Sequence, residues 1–196
     1  RLIRRQRQMC IRDSMINRTD FRFSKDFWFS AFGHLETEFQ FSHVWNQAPF
    51  TMLILPNANL SYTIQEGSYS LMSPMEFVLD SYASWDITYF ANGILFNHIP
   101  WIKMLRIREV LSFKGFFGNL SDKNNPLLTE QNPNLWRFPG ENAVYVMDPR
   151  RPYMEFGAGL DNIFKILRIE YVWRLTYREH QNVAKGGVRI ALHFSF

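Results

Sequence analysis

The last ten residues, 187–196, constrain the possible fold more strongly than any other stretch of the chain. Successive side chains of an extended strand point to opposite faces, so residues two apart share a face. One face of this stretch is entirely apolar and consists of Val188, Ile190, Leu192, Phe194 and Phe196. The other face carries Arg189 and small or polar side chains. The pattern predicts a strand with one apolar and one polar face, ending on an aromatic residue as few water-soluble domains do.

The same alternation recurs at six earlier places and is clearest at residues 166–178. There Tyr171 and Trp173 share a face, while Arg168, Glu170 and Arg174 share the opposite one. Period-two alternation over this length indicates a strand and not a helix. The seven predicted strands are 19–32, 35–46, 82–97, 104–119, 152–160, 166–178 and 187–196, with a further short strand near 75–79. The sequence therefore predicts an all-β protein.

Composition agrees with an ordered, strand-rich chain. Aromatic residues make up 17% of the 196 residues, including 19 Phe, and charged residues make up only 20%. Aromatic side chains favour strands and the boundary between lipid and water. The apolar runs are far shorter than the ~20 residues that a membrane-spanning helix needs.

The net charge of +4 comes from the first 14 residues, which hold five arginines and one aspartate. The remaining chain is neutral, with 17 basic and 17 acidic residues. A basic arm could bind nucleic acid or anionic lipid, but residues 1–14 resemble translated sequencing-adapter sequence. We therefore exclude them, with Cys10, from the fold and expect no nucleic-acid partner. Residues 15–196 are predicted to form one unit.

The connections between predicted strands alternate in length. They are short at 33–34, 98–103 and 161–165, medium at 179–186, and long at 47–81 and 120–151. Outer-membrane barrels combine short periplasmic turns with longer extracellular loops. The pattern predicts an antiparallel transmembrane β-barrel with two long extracellular loops. Because such barrels have an even number of strands, eight or more, seven strands predict a C-terminal fragment that pairs with a missing N-terminal half of the same chain.

The alternation also assigns side chains to the two surfaces of this barrel. The residues predicted to face the lumen are Arg106, Arg108, Glu155, Arg168, Glu170, Arg174, Arg178 and Arg189. The residues predicted to form a lipid-facing aromatic girdle are Trp45, Tyr171, Trp173 and Tyr177. The lumen-facing arginines either set an anion preference or pair with carboxylates on neighbouring strands, and we favour pairing.

No motif indicates catalysis or cofactor binding. The five histidines lie on different predicted elements without metal-ligand spacing, and a zinc site needs three or four convergent ligands. Nucleophile-elbow and phosphate-loop motifs are missing from the sequence. We therefore predict that the protein is not an enzyme and has no catalytic residues, metal or cofactor.

Residues 49–196 resemble a family of outer-membrane proteins of unknown function that join an N-terminal carboxypeptidase-regulatory-like domain to a C-terminal barrel. The stretches that carry the resemblance are 75–80, 97–100, 106–110, 118–124, 153–164 and 171–178. From Tyr153 onward the chain more distantly resembles surface-antigen-type barrels, which insert or export other proteins. In those barrels an Arg-Gly loop enters the lumen between the sixth and fifth strands from the end. Here that position is 47–81, which contains no Arg-Gly pair.

The resemblance implies an integral barrel of the bacterial outer membrane, with a structural or transport role in the envelope. Its partners would be outer-membrane lipid and the barrel assembly machinery, which reads the terminal strand as a signal: Val188, Ile190, Leu192, Phe194 and Phe196. A protein-insertion barrel and a soluble all-β lipid-binding domain are the alternatives.

Overall fold

The computed structural model describes residues 16–94, 96, 106–128, 132, 135, 138, 144–180 and 183–192. Phe194 and Phe196 of the predicted assembly signal lie outside these residues, as does the predicted link at 98–103. Seven strands form in the described residues. They are β1 (Arg18–Trp28), β2 (His34–Val44), β3 (Ser81–Phe90), β4 (Arg108–Asn119), β5 (Tyr153–Ile163), β6 (Leu167–Arg174) and β7 (Gly186–Leu192).

All seven strands belong to one antiparallel sheet, in which each strand pairs with the next along the chain. The sheet is not closed, and β1 and β7 are its edge strands. The register places like faces together, as Phe23 opposite Phe39 illustrates for β1 and β2. The prediction of an antiparallel all-β fold is confirmed, because each of the seven main predicted strands overlaps one of these strands.

Several strand ends differ from the prediction. β3 ends at Phe90, before Asn92 and Gly93, and Gly93 has a φ of 73° that interrupts extended backbone. β6 ends at Arg174, because the chain turns away from the sheet and Tyr177 adopts a φ of 52°. The predicted strand near 75–79 is replaced by two isolated bridges, from Phe77 to Tyr145 and from Leu79 to Ile54.

Long and short connections lie at opposite ends of the sheet. The turn between β1 and β2 requires glycine at position 33, since φ is 104° and a Cβ would lie 1.9 Å from the Phe90 carbonyl oxygen. The turn between β5 and β6 spans only residues 164–166. At the other end, residues 45–80, 120–152 and 175–185 join successive strand pairs.

Residues 45–80, which we call the crossing segment, lie over the polar face of the sheet at its long-connection end. Its apolar side chains form much of the buried core, including Leu53, Ile54, Tyr69, Met72, Phe77, Val78 and Leu79. They pack on Tyr82, Phe116 and Tyr153 of β3, β4 and β5. Burying each large apolar side chain stabilises the fold by roughly 1.5–3 kcal/mol, so the crossing segment is an integral part of the fold.

The sheet curls around its polar face, which is therefore concave. Residues from all seven strands, from Ser24 of β1 to Ala191 of β7, line one cavity. The crossing segment also reaches the edge of the sheet, where Tyr62 and Ile64 exchange backbone hydrogen bonds of 2.8 and 2.9 Å with Ile190 of β7. This contact is a parallel bridge centred on Thr63.

Candidate functional site

The concave face carries buried charge, as β6 shows most simply. Glu170 and Arg174 are buried on this face, whereas Tyr171 and Trp173 are each 41% exposed on the convex face. The alternation follows from the two-residue repeat of a strand. Buried charges require partners, so the contacts of these groups define the candidate site.

Arg174 and Glu76 form the central contact between the sheet and the crossing segment. Arg174 Nη1 donates to Glu76 Oε2 at 3.0 Å, and Nη2 donates to Oε1 at 2.5 Å. The two side chains are 0% and 1% exposed. Arg174 also donates to the backbone oxygens of Leu71, Thr176 and Tyr177. The guanidinium is thus fully engaged, as a buried arginine must be.

His180 completes this cluster and links three long connections. Its Nδ1 lies 2.7 Å from Glu76 Oε1, and its ring stacks on Tyr145 with 3.7 Å between the ring centroids. Tyr145 in turn donates its backbone N–H to the Glu76 carbonyl at 2.8 Å. Burial raises the pKa of the Glu76 carboxyl, but hydrogen bonds from Arg174 and His180 outweigh it, so the pKa lies below its usual range. Glu76 is therefore held ionised.

A second anchor holds the crossing segment near its middle. The Glu155 carboxylate on β5 accepts the backbone N–H groups of Ser70 and Leu71 at 2.9 and 2.7 Å, and the Tyr153 hydroxyl at 2.6 Å. Arg189 of β7 donates to the Ser70 carbonyl. Two strands that are not neighbours thus grip the same short stretch of backbone through charge-assisted hydrogen bonds.

A third anchor joins the crossing segment to the connection between β4 and β5. The Asp80 carboxylate accepts the backbone N–H of Ser121 and the side-chain amide of Asn124, both at 3.0 Å, together with the Ser121 hydroxyl. Asn124 also accepts the backbone N–H of Ala48 at 2.9 Å. Residues 75–80 and 118–124, two of the stretches that carry the resemblance described from sequence, therefore contact each other directly.

An open cavity lies beyond these anchors, at the short-connection end of the concave face. Its volume is about 440 Å³, and its walls come from the strands and from the tip of the crossing segment at residues 64–67. Lys114 of β4 forms an ion pair with Asp86 of β3 in this cavity, at 2.8 Å. The Arg168 guanidinium lies 5.1 Å from the centroid of the Phe90 ring and donates to Glu170.

The structure places most of the predicted site residues on the expected face. Glu155, Arg168, Glu170, Arg174 and Arg189 point into the concave side, where they contact the crossing segment or one another. Arg108 has the same orientation opposite Asp161 but is exposed. Arg168 and Arg174 do pair with carboxylates, but not on neighbouring strands as expected: Arg168 pairs with Glu170 of its own strand, and Arg174 pairs with Glu76 of the crossing segment.

The convex face carries the outward-pointing side chains. It includes Trp45, Tyr171 and Trp173 of the predicted aromatic girdle, and Val188, Ile190 and Leu192 of the predicted assembly signal, all of them exposed. These six residues do not form a common site, because they lie just after β2, on β6 and on β7.

Three of the predicted site residues lie beyond the ends of the strands. Tyr177 was expected on the convex face but is only 5% exposed and packs on Phe77, with 5.1 Å between the ring centroids. Arg178 lies exposed in the turn after β6, and Arg106 lies exposed in the turn before β4 with a φ of 51°. Because the chain has left the sheet at these positions, the two-residue repeat no longer fixes where the side chains point.

Among the residues that the structure describes, there is no cluster of three or more His, Cys, Asp or Glu that could hold a metal ion. The same part of the chain has no helix long and apolar enough to cross a membrane.

Comparison with protein-family models, curated proteins and solved structures found no match. The resemblance described from sequence therefore stays a prediction.

Sequence reasoning missed the residues of the crossing segment that carry the contacts, above all Glu76 and Asp80. Both lie in a stretch singled out by the resemblance, but no periodicity marks them. A signal was available in their chemistry: they are the two carboxylates of a stretch of otherwise apolar residues, and a carboxylate in such surroundings requires a buried partner.

Proposed function

We propose that this chain forms part of a β-barrel of the bacterial outer membrane. The observation that carries the proposal is the convex face, which is apolar and aromatic on strand after strand. Its exposed members are Phe21, Phe23 and Phe27 on β1, Phe39 and Phe41 on β2, Leu111 and Phe117 on β4, Ile169, Tyr171 and Trp173 on β6, and Val188, Ile190 and Leu192 on β7. Water-soluble monomers rarely expose so large a contiguous apolar surface.

The polarity of the two faces argues against the soluble alternatives. A soluble lipid-binding barrel encloses an apolar interior and presents polar residues to water, whereas here the concave face holds the charges. A sandwich would bury the aromatic face against a second sheet, but the described residues form one sheet only. Charged inside and apolar outside is the arrangement of a transmembrane barrel.

A membrane location requires that the sheet be closed. The outer edge of β1 pairs with no other strand in the described part of the chain, and lipid offers unpaired backbone groups no hydrogen-bonding partner. We therefore infer that further strands, supplied by the rest of the same polypeptide, complete the barrel. Outer-membrane lipid and the assembly machinery are its partners in this proposal.

Within the barrel, the crossing segment favours a structural role over an open pore. It fills the concave face at the long-connection end and is anchored by Glu76, Glu155 and Asp80. A protein-insertion barrel is the second candidate, because the crossing segment occupies the position where such barrels carry a loop inside the lumen. The charges are placed the other way round from those of an Arg-bearing loop. Here the carboxylate of Glu76 lies on the crossing segment, and the arginine, Arg174, lies on the strand.

Fractionation of cells that express the protein, combined with gel mobility before and after heating, tests the membrane proposal. We expect the protein in the outer-membrane fraction, soluble only with detergent, with an unheated band that migrates differently from the heated one. Recovery in the soluble fraction without detergent, with no change of mobility on heating, would contradict the proposal and favour a soluble domain.

A further inference from the structure

We propose that the cavity on the concave face binds a linear polyamine. The cavity has a volume of about 440 Å³, within the ~300–1,000 Å³ typical of small-molecule sites. It lies between the strands and the tip of the crossing segment, so a ligand inside it would touch both. The proposal concerns the cavity alone and does not depend on whether the convex face borders lipid.

The lining of the cavity has an excess of negative charge. Its six carboxylates are Asp26, Glu36, Glu38, Glu66, Asp86 and Asp161. Only two cationic side chains, Lys114 and Arg168, share the lining, and each already has a carboxylate partner, at 2.8 and 3.0 Å. A concave surface with one sign of charge concentrates ions of the opposite sign, so the cavity favours a cationic ligand.

Asp161 supplies the second observation, which is independent of the charge count. It lies on β5, its residue is only 8% exposed, and its side chain lines the cavity. Within the described part of the chain it forms no hydrogen bond or ion pair, even though Arg108 is its register partner on β4. The carboxylate therefore faces the open cavity with no counter-charge on the protein. An ammonium group in the cavity would supply that counter-charge.

The distribution of the carboxylates indicates an extended organic cation and not a metal ion. No three acidic or histidine side chains of the described residues come close enough together to hold a metal. The negative groups are spread from β1 to β5 and onto the crossing segment, and Ile64 and Phe90 supply apolar surface in the same lining. A linear polyamine alternates ammonium groups with short methylene chains, and therefore matches both kinds of surface.

Calorimetric titration of the full protein with spermidine, in the buffer or detergent in which the protein is isolated, tests this inference. We expect binding that weakens as salt is added, because the attraction is electrostatic. Asp161→Asn and Glu66→Gln should each weaken binding about tenfold, as expected for loss of one charge-assisted contact. The matched control is Glu179→Gln, an exposed carboxylate outside the cavity lining, which should leave binding unchanged.

Mg²⁺ at the same charge concentration is the comparison ligand and should bind far more weakly than spermidine. Glu66 is exposed on the crossing segment, so Glu66→Gln tests the site even if Asp161→Asn does not fold. The inference is overturned if spermidine does not bind the parent protein or binds no better than Mg²⁺. It is equally overturned if every variant that folds binds spermidine as the parent does. None of these outcomes bears on the membrane proposal, which fractionation tests separately.

Discussion

Arg174 and Glu76 lie 98 residues apart in sequence and form a two-point ion pair from which water is excluded. The pair joins the last residue of β6 to the crossing segment, and His180 contacts the same carboxylate. Aromatic rings surround the pair, so water cannot reach either charge and replace its partner. The attachment of the crossing segment to the sheet therefore depends on this contact.

Glu76→Gln should strongly destabilise the fold. The substitution keeps the shape of the side chain but leaves the Arg174 guanidinium buried without its counter-charge, which costs about 3–5 kcal/mol in comparable buried pairs. Urea unfolding followed by tryptophan fluorescence measures the loss. The matched control is Glu179→Gln, which breaks the exposed pair with Arg151 and should change stability little. Equal effects of the two substitutions would mean that the buried pair does not hold the crossing segment.

The same carboxyl predicts how stability depends on pH. The folded-state pKa of Glu76 is lowered, so its contribution is fully present above the pKa of the unfolded chain and is lost as the pH falls through the folded-state value. Denaturation midpoints measured between neutral pH and about pH 3 should fall for the parent. They should fall less steeply for Glu76→Gln, which has no such group to titrate. Parallel curves for the two proteins would assign the acid sensitivity to other carboxyls.

Neighbouring residues of β1 provide a test of the two faces of the sheet. Phe23 lies on the convex face and Ser24 on the concave face, and both are exposed at mid-strand. In lipid, Phe23→Arg should cost ~2–4 kcal/mol near the bilayer midplane, whereas Ser24→Arg should be tolerated. Folding yield into lipid vesicles distinguishes the variants. Similar yields would show that the convex face does not border lipid.

Two glycines on the concave face should respond differently to substitution by alanine. A Cβ at position 157 would lie 2.1 Å from Glu170 Oε1 and 2.2 Å from Ser112 Oγ, whereas one at position 187 would lie no closer than 3.2 Å to any neighbour. Gly157→Ala should therefore destabilise the protein by about 1–3 kcal/mol, and Gly187→Ala much less. Thermal unfolding of both variants decides the point, and a larger loss for Gly187→Ala would contradict the packing described for β5 and β6.

The position of the long connections predicts which sites are accessible from outside the cell. Leu127 lies exposed in the connection between β4 and β5, and Phe164 lies exposed in the turn between β5 and β6. In a background with Cys10→Ser, a membrane-impermeant thiol reagent applied to intact cells should label Leu127→Cys and not Phe164→Cys. Labelling only at position 164 would reverse the proposed orientation. Labelling of both variants after lysis is the control.

The sequence predicted the faces of the strands well and their ends poorly. The faces follow from the geometry of extended backbone, so Glu170 and Tyr171 could be assigned to opposite sides from their spacing alone. Strand ends depend on local backbone conformation. The positive φ at Tyr177 ends the extended backbone, but the alternation of residue types in the sequence does not show it. A tyrosine in phase with Trp173 was therefore placed on the convex face, although it belongs to the core.

The candidate site could not be predicted because its contacts are distant in sequence. Glu76, Asp80 and His180 lie in connections without periodicity, and each acts through a partner on another element. The sequence predicted a long connection at residues 47–81. It did not indicate that the loop folds back over the sheet, because that path is set by pairing with Arg174 and Glu155 on strands far along the chain.

The parallel bridge at Thr63 makes the two margins of the sheet chemically unequal. At β7, the backbone N–H and carbonyl of Ile190 already have donors and acceptors from Tyr62 and Ile64. At β1, no strand of the described residues occupies the outer margin. In the proposed barrel, an added strand would pair with β1 without displacing any residue, whereas a strand pairing with β7 at Ile190 would displace residues 62–64 of the crossing segment. Closure of the proposed barrel at β7 would therefore exchange one set of backbone hydrogen bonds for another.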